Sequence, residues 1–259
     1  MTVTAIKTHK ITKDDTDIFA ILDKYILALH EKSVVAITSK IVSITEGRIV
    51  KVEDVENVEK GRTQKDMLIE QESEYYLPRN DNKYGVSFAI AHGVLAASAG
   101  IDESNGNGAY VLWPSNPQKS ANDIRSHLIS RCDLNNLGVI ITDSKTTPLR
   151  WGVTGFALAY SGFSPLKDYI GTPDIFGRKL VYEKMNIADG LAASASVVMG
   201  EGSEQTPLAV LTDLADLHFK DTNPTDKELK SLKINMDEDL YAPLLKKASW
   251  LKGKSPKKT

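Results

Sequence analysis

Two acidic turns in the chain carry side chains whose chemistry suits a divalent cation. Thr142, Asp143 and Ser144 follow residues 139–141, an apolar run that predicts a strand buried on both faces. Asp102 opens the second turn, just after small residues that allow a ligand or another backbone to approach closely. Mg²⁺ and Mn²⁺ prefer oxygen donors. Two neighbouring carboxylates repel unless a cation lies between them, which makes Asp102 and Asp143 candidate metal ligands. Ordinary polar turns are the alternative.

Other side chains could bind phosphate or carboxylate groups. Arg150 follows the first turn and Arg178 ends the loop 165–178, and a guanidinium can pair with either anion through two parallel hydrogen bonds. Ser39 and Lys40 could reach a phosphate, although an edge strand would place similar polar side chains toward solvent.

A glycine-interrupted acidic loop follows the helix expected over residues 186–199. This loop, residues 200–206, contains Gly200, Glu201 and Gly202. Backbone N–H groups in such a loop can wrap phosphates, and Glu201 could reach a metal ion. A helix end capped by glycine is the structural alternative.

The hydrophobic pattern predicts the elements that must position these groups. The expected helices are residues 14–32, with Thr16 as the N-cap, part of 52–74, 120–130 and 186–199. The expected strands are residues 33–43, 49–52, 85–92, 139–141, 152–162 and 208–211. This alternation predicts an α+β fold with mixed curved sheets and helices.

Composition excludes several classes of protein. The chain has 259 residues, 41% hydrophobic and 25% charged, and its formal net charge is −2. These values indicate a globular protein and no nucleic-acid partner. Cys132 is the single cysteine, so no internal disulfide can form and a cytoplasmic location is expected. No membrane partner is expected either, because no run of about 18 apolar residues occurs. The P-loop and dinucleotide fingerprints are also absent from the sequence.

Several separated motifs, taken in order, resemble the coenzyme F420-0:γ-glutamyl ligase family. They are AGIDESN from residue 99, GVIITDS from 138, TPLRWG from 147, PLKDYIGTPDIFGR from 165 and VMGEGSEQTP from 198. The resemblance implies two interleaved subdomains within residues 1–215, a C-terminal extension over 216–259 with a Lys-rich tail, and a homodimer. It also implies a GTP-dependent ligase that joins L-glutamate to a carboxylate acceptor with two Mg²⁺ or Mn²⁺ ions.

The resemblance also implies roles for individual positions. Asp102 and Asp143 match ligands of the first metal ion. Glu201 and Ser144 match ligands of the second, and Ser144 stands where the family usually has Thr. The positions that match nucleotide contacts are Ser39, Asn105, Met199, Gly200, Gly202, Ser203, Glu204 and Thr206. Lys40, next to Ser39, is a further candidate for binding the nucleotide.

Some positions depart from the family pattern. Ile44 stands where the family has a Lys, and His9 with Lys10 replaces a Leu-Pro pair. These positions belong to nucleotide contacts, so GTP and ATP both stay open as cosubstrates. The wording of IDESNGNGAYVLWP and DSKTTPLRWGVTG is closer to a branch associated with folate metabolism, so the acceptor is F420-0 or a folate. Arg150 and Arg178 are candidate catalytic residues that orient a substrate anion. A non-catalytic homologue that binds nucleotide and metal is the alternative to a ligase.

Overall fold

The computed structural model describes residues 1–52, 62–79 and 82–255. The strands, in chain order, are β1 (Thr2–Ile6), β2 (Ser33–Thr38), β3 (Ile49–Lys51), β4 (Tyr75–Leu77), β5 (Phe88–Ala91), β6 (Val94–Ala97), β7 (Ala109–Val111), β8 (Leu137–Thr146), β9 (Val153–Ser161), β10 (Leu166–Asp168), β11 (Lys184–Asn186), β12 (Leu208–Thr212) and β13 (Leu251–Lys252). The helices are α1 (Ile18–Tyr25), α2 (Ser39–Thr45), α3 (Gln64–Glu72), α4 (Pro117–Cys132), α5 (Ile187–Met199), α6 (Asp226–Ser231) and α7 (Ala242–Leu245). Within these described segments, no helix has both the length and the apolar character needed to cross a membrane.

The central sheet has five strands in the order β1-β12-β2-β8-β9. Its middle pair, β2 and β8, is parallel, with Ser33 opposite Leu137 and Thr38 opposite Thr142. The other neighbouring strands in this sheet are antiparallel. Because the parallel pair stays in register to the end of β2, the residues that come next on the two strands lie side by side at one edge of the sheet.

Side chains of β2 point alternately into two hydrophobic cores. Val35 and Ile37 pack with α1, α2 and α4 on one face of the sheet. Val34 and Ala36 pack with α5 on the other face. A strand that is covered on both faces reads as a continuous apolar run, which explains why β2 shows no alternation of polar and apolar residues.

A second sheet is antiparallel and has the order β13-β4-β5-β6, while β3 pairs with β7 and β10 pairs with β11 as separate ribbons. Ile69 of α3, Ala89 of β5 and Trp113 belong to a third hydrophobic core. The combination of helices with mixed and antiparallel sheets confirms the predicted α+β class. The division into two subdomains and a C-terminal extension stays a prediction.

The first helix is shorter than its sequence pattern predicts. The expected helix over residues 14–32 reduces to α1, and its N-cap is Asp17, so the prediction of Thr16 was wrong. Asp17 Oδ1 accepts hydrogen bonds from the backbone N–H groups of Phe19 at 2.8 Å and Ala20 at 3.3 Å. A carboxylate can satisfy two orphan N–H groups at a helix start in this way.

The strand expected over residues 33–43 was wrong in its second half, because α2 begins at Ser39. The β-branched residues Ile41 and Val42, which suggested a strand, are buried in the same core as one face of β2. Tertiary packing of a helical turn therefore overrides the strand propensity of these side chains.

Strand β8 is longer than the apolar run at residues 139–141 predicts and continues to Thr146. Ile141 lies opposite Ala159 and Thr142 opposite Ala157, so Leu158 is the extra residue of a β-bulge on the neighbouring strand β9. Bulges bend a strand and change where its side chains point. Asp143 and Ser144 lie within β8, although a turn was expected there.

The remaining elements agree with expectation apart from their ends. The expected helices 120–130 and 186–199 correspond to α4 and α5, and the expected strands 85–92, 152–162 and 208–211 correspond to β5, β9 and β12. The strand expected over 49–52 is β3, which pairs with β7. The helix expected within 52–74 is α3, while residues 53–61, like residues 256–259 of the Lys-rich tail, lie outside the described residues.

The contact between β9 and α5 yields a test of this packing. A Cβ at Gly155 would lie 2.1 Å from Ser196 Oγ and 2.6 Å from the Ala192 carbonyl oxygen. We expect Gly155→Ala to lower the free energy of unfolding by about 1–3 kcal/mol, because α5 must move off the sheet. Gly190→Ala, on an α5 position with nothing within 4 Å, should instead raise it by about 0.5–1 kcal/mol. Urea denaturation measures both, and equal effects would contradict the packing.

Candidate active site

Ser39 and Lys40, the first residues of α2, contact Asp143 and Asp102. Ser39 Oγ donates a hydrogen bond to Asp143 Oδ2 at 3.1 Å. Lys40 Nζ forms an ion pair with Asp102 Oδ2 at 2.5 Å and donates to the Ser104 carbonyl oxygen at 3.0 Å. The parallel pairing of β2 with β8 thus brings Asp143 to the start of α2, and the bridge between Asp102 and Val111 fixes the second carboxylate near the same helix end.

Asp143 accepts three hydrogen bonds on a half-buried carboxylate. Trp113 Nε1 and Ser39 Oγ donate to Oδ2, and the Ser144 backbone N–H donates to Oδ1 at 2.7 Å. Burial raises the pKa of Asp143 to about 6, and the negative charge of Asp102 adds to the rise, whereas the three donors oppose it. The two carboxylates are therefore close enough for their charges to interact.

Asp102 is held in place mainly by its own turn. Its Oδ1 accepts from the Ser104 backbone N–H at 2.8 Å, and its Oδ2 accepts from the Ser104 hydroxyl at 2.9 Å. Backbone hydrogen bonds with Val111, at 2.9 and 2.8 Å, fix the turn against the end of β7. Burial alone would raise the pKa of Asp102, but Lys40 and Ser104 together lower it below its ordinary value. Asp102 therefore carries its negative charge at neutral pH.

The candidate ligands of the second metal ion meet where α5 ends. Ser144 Oγ donates to Glu201 Oε1 at 2.5 Å. Gly200 follows α5 with a φ of 77°, a conformation that glycine adopts without steric cost. A Cβ at this position would also lie 2.5 Å from the carboxyl carbon of Glu204. Glycine at this position therefore lets the loop fold back so that Glu201 reaches β8.

Hydrogen bonds join the loop after α5 to the opposite side of the site. Asn105 Nδ2 donates to the Gly202 carbonyl oxygen at 3.2 Å. The Gly202 backbone N–H donates to Glu204 Oε2 at 2.8 Å, and Thr206 Oγ1 donates to the Met199 carbonyl oxygen at 2.5 Å. The predicted nucleotide-contact loop is thus stabilised by its own hydrogen bonds and by the hydrogen bond from Asn105, which follows Asp102 in the second acidic turn.

These groups line a single cleft of about 710 Å³. The predicted metal and nucleotide positions that line it are Ser39, Lys40, Asp102, Asn105, Asp143, Ser144, Met199, Gly200, Glu201, Gly202, Ser203, Glu204 and Thr206. His9, Lys10 and Ile44, where the chain departs from the family pattern, line it too. Every position predicted for metal or nucleotide therefore belongs to one concave surface, while the ligand roles themselves stay predictions.

The two candidate catalytic arginines do not line this cleft. Arg150 is exposed in the turn between β8 and β9. Arg178 is exposed between β10 and β11, and its backbone N–H donates to Asp174 Oδ1 at 2.9 Å. The structure therefore places neither guanidinium group in the cleft that holds Asp102 and Asp143, and their role in orienting an anion stays a prediction.

Trp113 is a site residue that the sequence motifs did not single out. Its side chain is 3% exposed, and its indole N–H donates to Asp143. Gly100 has a φ of 73°, and a Cβ there would lie 2.0 Å from Trp113 Cε2. The small residues before Asp102 had predicted a close approach, but the approaching group could not be read from the local sequence.

The chain matches the family model described as F420-0:Gamma-glutamyl ligase over residues 5–213, and it belongs to that family. A coenzyme F420:L-glutamate ligase of Methanococcus maripaludis (strain C7 / ATCC BAA-1331) is 41% identical over 162 residues, or 61% of this chain and 62% of that protein. The corresponding ligase of Methanocaldococcus jannaschii is 41% identical over 132 residues, or 50% and 53%. That of Archaeoglobus fulgidus is 39% identical over 123 residues, or 47% and 49%. The matched part thus spans less than two thirds of the length of these relatives.

The raised pKa of Asp143 predicts how stability changes with pH when divalent cations are chelated. Between the ordinary Asp value of 3.8 and about 6, the folded state holds a proton that the unfolded chain releases. The free energy of unfolding should therefore fall as pH rises through this window, by at most about 3 kcal/mol from this group. Asp143→Asn cannot titrate and should flatten that decline. Urea denaturation from pH 4 to 7 with EDTA measures it, and parallel curves would contradict the assignment.

Proposed function

We propose that this chain is a nucleotide- and metal-dependent ligase that forms a γ-glutamyl amide bond between L-glutamate and a carboxylate acceptor. The observation that carries the proposal is that Asp102, Asp143 and the Ser144–Glu201 pair meet on the cleft bordered by the glycine-interrupted loop. Family membership and the relatives named coenzyme F420:L-glutamate ligase support the same reaction class. The acceptor is F420-0 or a folate.

The reaction must first make the acceptor carboxylate electrophilic. Its negative charge makes it a poor target for an amine, so the γ-phosphoryl group of the nucleotide is transferred to it, which gives an acyl phosphate and a nucleoside diphosphate. The glutamate amine then attacks the acyl carbon, phosphate leaves with the bonding electrons, and the amine proton is released. Lys40 and the backbone N–H groups of the loop after α5 border the cleft in which the phosphates must be held.

The donor set fits two Mg²⁺ or Mn²⁺ ions, because it offers only oxygen atoms and because Asp143 is a half-buried carboxylate beside the negative charge of Asp102. In the described part of the chain, no three His, Cys, Asp or Glu side chains form a group that could hold a metal ion. Mg²⁺ commonly uses one or two carboxylates and completes its shell with water and substrate phosphates. Asp102 and Asp143 would hold one ion, and Ser144 and Glu201 the other. Bound cations would offset charge on the phosphates and on the acceptor carboxylate.

The choice between GTP and ATP depends on the positions that depart from the family pattern. Ile44 removes the cation that the family has there, and Lys10 places a different one along the same cleft. The His9 ring is fixed on both nitrogens, by Tyr25 Oη at 2.7 Å and by Asp15 Oδ1 at 2.8 Å. A rigid imidazole beside a lysine differs in shape and charge from a Leu-Pro pair. The family's preference for GTP therefore does not carry over directly to this chain, and GTP and ATP are both candidate cosubstrates.

Exposed apolar side chains support the homodimer that we propose for the active protein. Leu149 and Trp151, in the turn between β8 and β9, are 103% and 93% exposed. Ile175 and Phe176, between β10 and β11, are 91% and 89% exposed. Exposed large apolar side chains that are concentrated in two connecting segments are typical of self-association surfaces. We place the reaction in the cytoplasm, in keeping with the single cysteine.

A homologue that binds nucleotide and metal without ligation is the second candidate function. Ile44 favours it, because the family's lysine is missing from the cleft. The exposed positions of Arg150 and Arg178 also favour it, because neither guanidinium lines the cleft of its own chain. Such a protein would bind the nucleotide but would not consume it when glutamate and acceptor are added.

A single assay separates these functions. Purified protein is incubated with GTP or ATP, Mg²⁺ or Mn²⁺, L-glutamate and a panel of F420-0 and folates, and the products are read by mass spectrometry. A ligase should add glutamate to one acceptor and release nucleoside diphosphate only when both glutamate and that acceptor are present. Nucleotide binding without turnover on any acceptor would instead support the non-catalytic homologue.

Asp143→Asn tests the proposed metal ligand directly. Asn keeps the size and one carbonyl oxygen but removes the charge, so Mn²⁺ affinity and the ligation rate should each fall at least about 100-fold while the fold persists. Asp168→Asn is the matched control, because Asp168 lies outside the cleft, where its carboxylate accepts from the Ile170 N–H at 2.9 Å and pairs with Lys184 Nζ at 3.3 Å. Wild-type activity and unchanged metal dependence in Asp143→Asn would remove this residue from the mechanism.

A further inference from the structure

We infer that Trp113 is a positioning residue whose indole N–H fixes Asp143 Oδ2 and leaves Oδ1 as the atom that faces the cation. The inference deepens the proposed function and rests on it, because it concerns how one proposed metal ligand is oriented. Trp113 lines the cleft beside Asp143. It acts through that carboxylate, so its expected effect is on metal affinity.

The hydrogen bonds of Asp143 distinguish its two oxygens. Oδ2 accepts from Trp113 Nε1 and from Ser39 Oγ, so both of its lone pairs are in use. Oδ1 accepts only from the Ser144 backbone N–H, at 2.7 Å, and keeps one lone pair. In this arrangement the remaining lone pair of Oδ1 is the one that would be available to a cation.

The indole is itself held by its surroundings. Its ring lies against the backbone of Gly100, where a Cβ would come within 2.0 Å of Cε2. His92 meets it edge-on with ring centroids 5.8 Å apart, and Phe156 lies at 6.2 Å. Arg48 Nε donates to the Trp113 carbonyl oxygen at 3.0 Å. Because the indole N–H is fixed by packing on several sides, it holds the Asp143 carboxylate in one orientation. A mobile donor would move with the carboxylate and would not orient it.

The choice of residue type supports the same role. Several apolar side chains could fill a 3% exposed position in this core, but among large apolar residues tryptophan alone adds an N–H that points along the ring plane. A hydrogen bond to an ionised carboxylate is stronger than one to a neutral acceptor. Groups that orient a metal ligand in this way commonly change metal affinity 10- to 100-fold when removed.

Trp113→Phe tests the inference, because phenylalanine keeps an aromatic ring and deletes the donor. Mn²⁺ binding is measured by titration calorimetry on the full chain, and we expect affinity to fall at least about 10-fold. Trp250→Phe is the control, because it deletes an indole hydrogen bond to the Leu245 carbonyl oxygen, at 2.7 Å, outside the cleft. It should bind Mn²⁺ as the wild type does.

The outcomes separate this inference from the proposed function. Equal Mn²⁺ affinity in wild type and Trp113→Phe, or an equal loss in Trp250→Phe, overturns the positioning role alone. A wild type that binds no Mn²⁺ overturns the metal assignment and the positioning role with it. If Trp113→Phe does not fold, the double variant Trp151→Phe/Trp250→Phe leaves Trp113 as the single tryptophan. Its fluorescence should then change saturably with added Mg²⁺, and an unchanged spectrum overturns the inference.

Discussion

The parallel pairing of β2 with β8 is the constraint on which the candidate site depends. This pairing places Thr38 opposite Thr142 at the end of β2. Helix α2 starts one residue later, so its first two side chains reach the two carboxylates. A shift of one residue in this register would turn Asp143 to the other face of the sheet, because side chains alternate along a strand. The two cores that cover β2 fix the register, since each face must bury its own set of apolar side chains.

The site keeps two carboxylates of different character in one cleft. Lys40 compensates the charge of Asp102 and lowers its pKa, whereas Asp143 has only neutral donors and its pKa rises with burial. Neutral donors stabilise a buried charge less than an ammonium group does. The folded chain therefore carries an electrostatic cost at Asp143, and such costs are usual where a protein has to bind a cation or a reactive substrate. The remainder of the sheet, with its two apolar cores, supplies the stability that offsets this cost.

The sequence predicted those parts of the site that local patterns determine. Asp143 and Ser144 could be found because a strand buried on both faces is a bare apolar run, and the polar residues that end such a run stand out. Contacts between distant segments could not be found in this way, and Trp113 to Asp143 spans 30 residues while Lys40 to Ser104 spans 64. The start of α2 was also missed, because its β-branched residues favour a strand until the core that they pack against is known.

The order of strands in the central sheet has a consequence for the time course of synthesis. Strand β12 lies between β1 and β2 and pairs with both of them. Residue 208, where β12 begins, is made 170 positions after residue 38, where β2 ends. At ordinary rates of translation this interval lasts roughly 10–30 s. During that time β1 and the edge of β2 that β12 later covers have no partner within this sheet, so their backbone N–H and C=O groups stay unpaired there until β12 has been made.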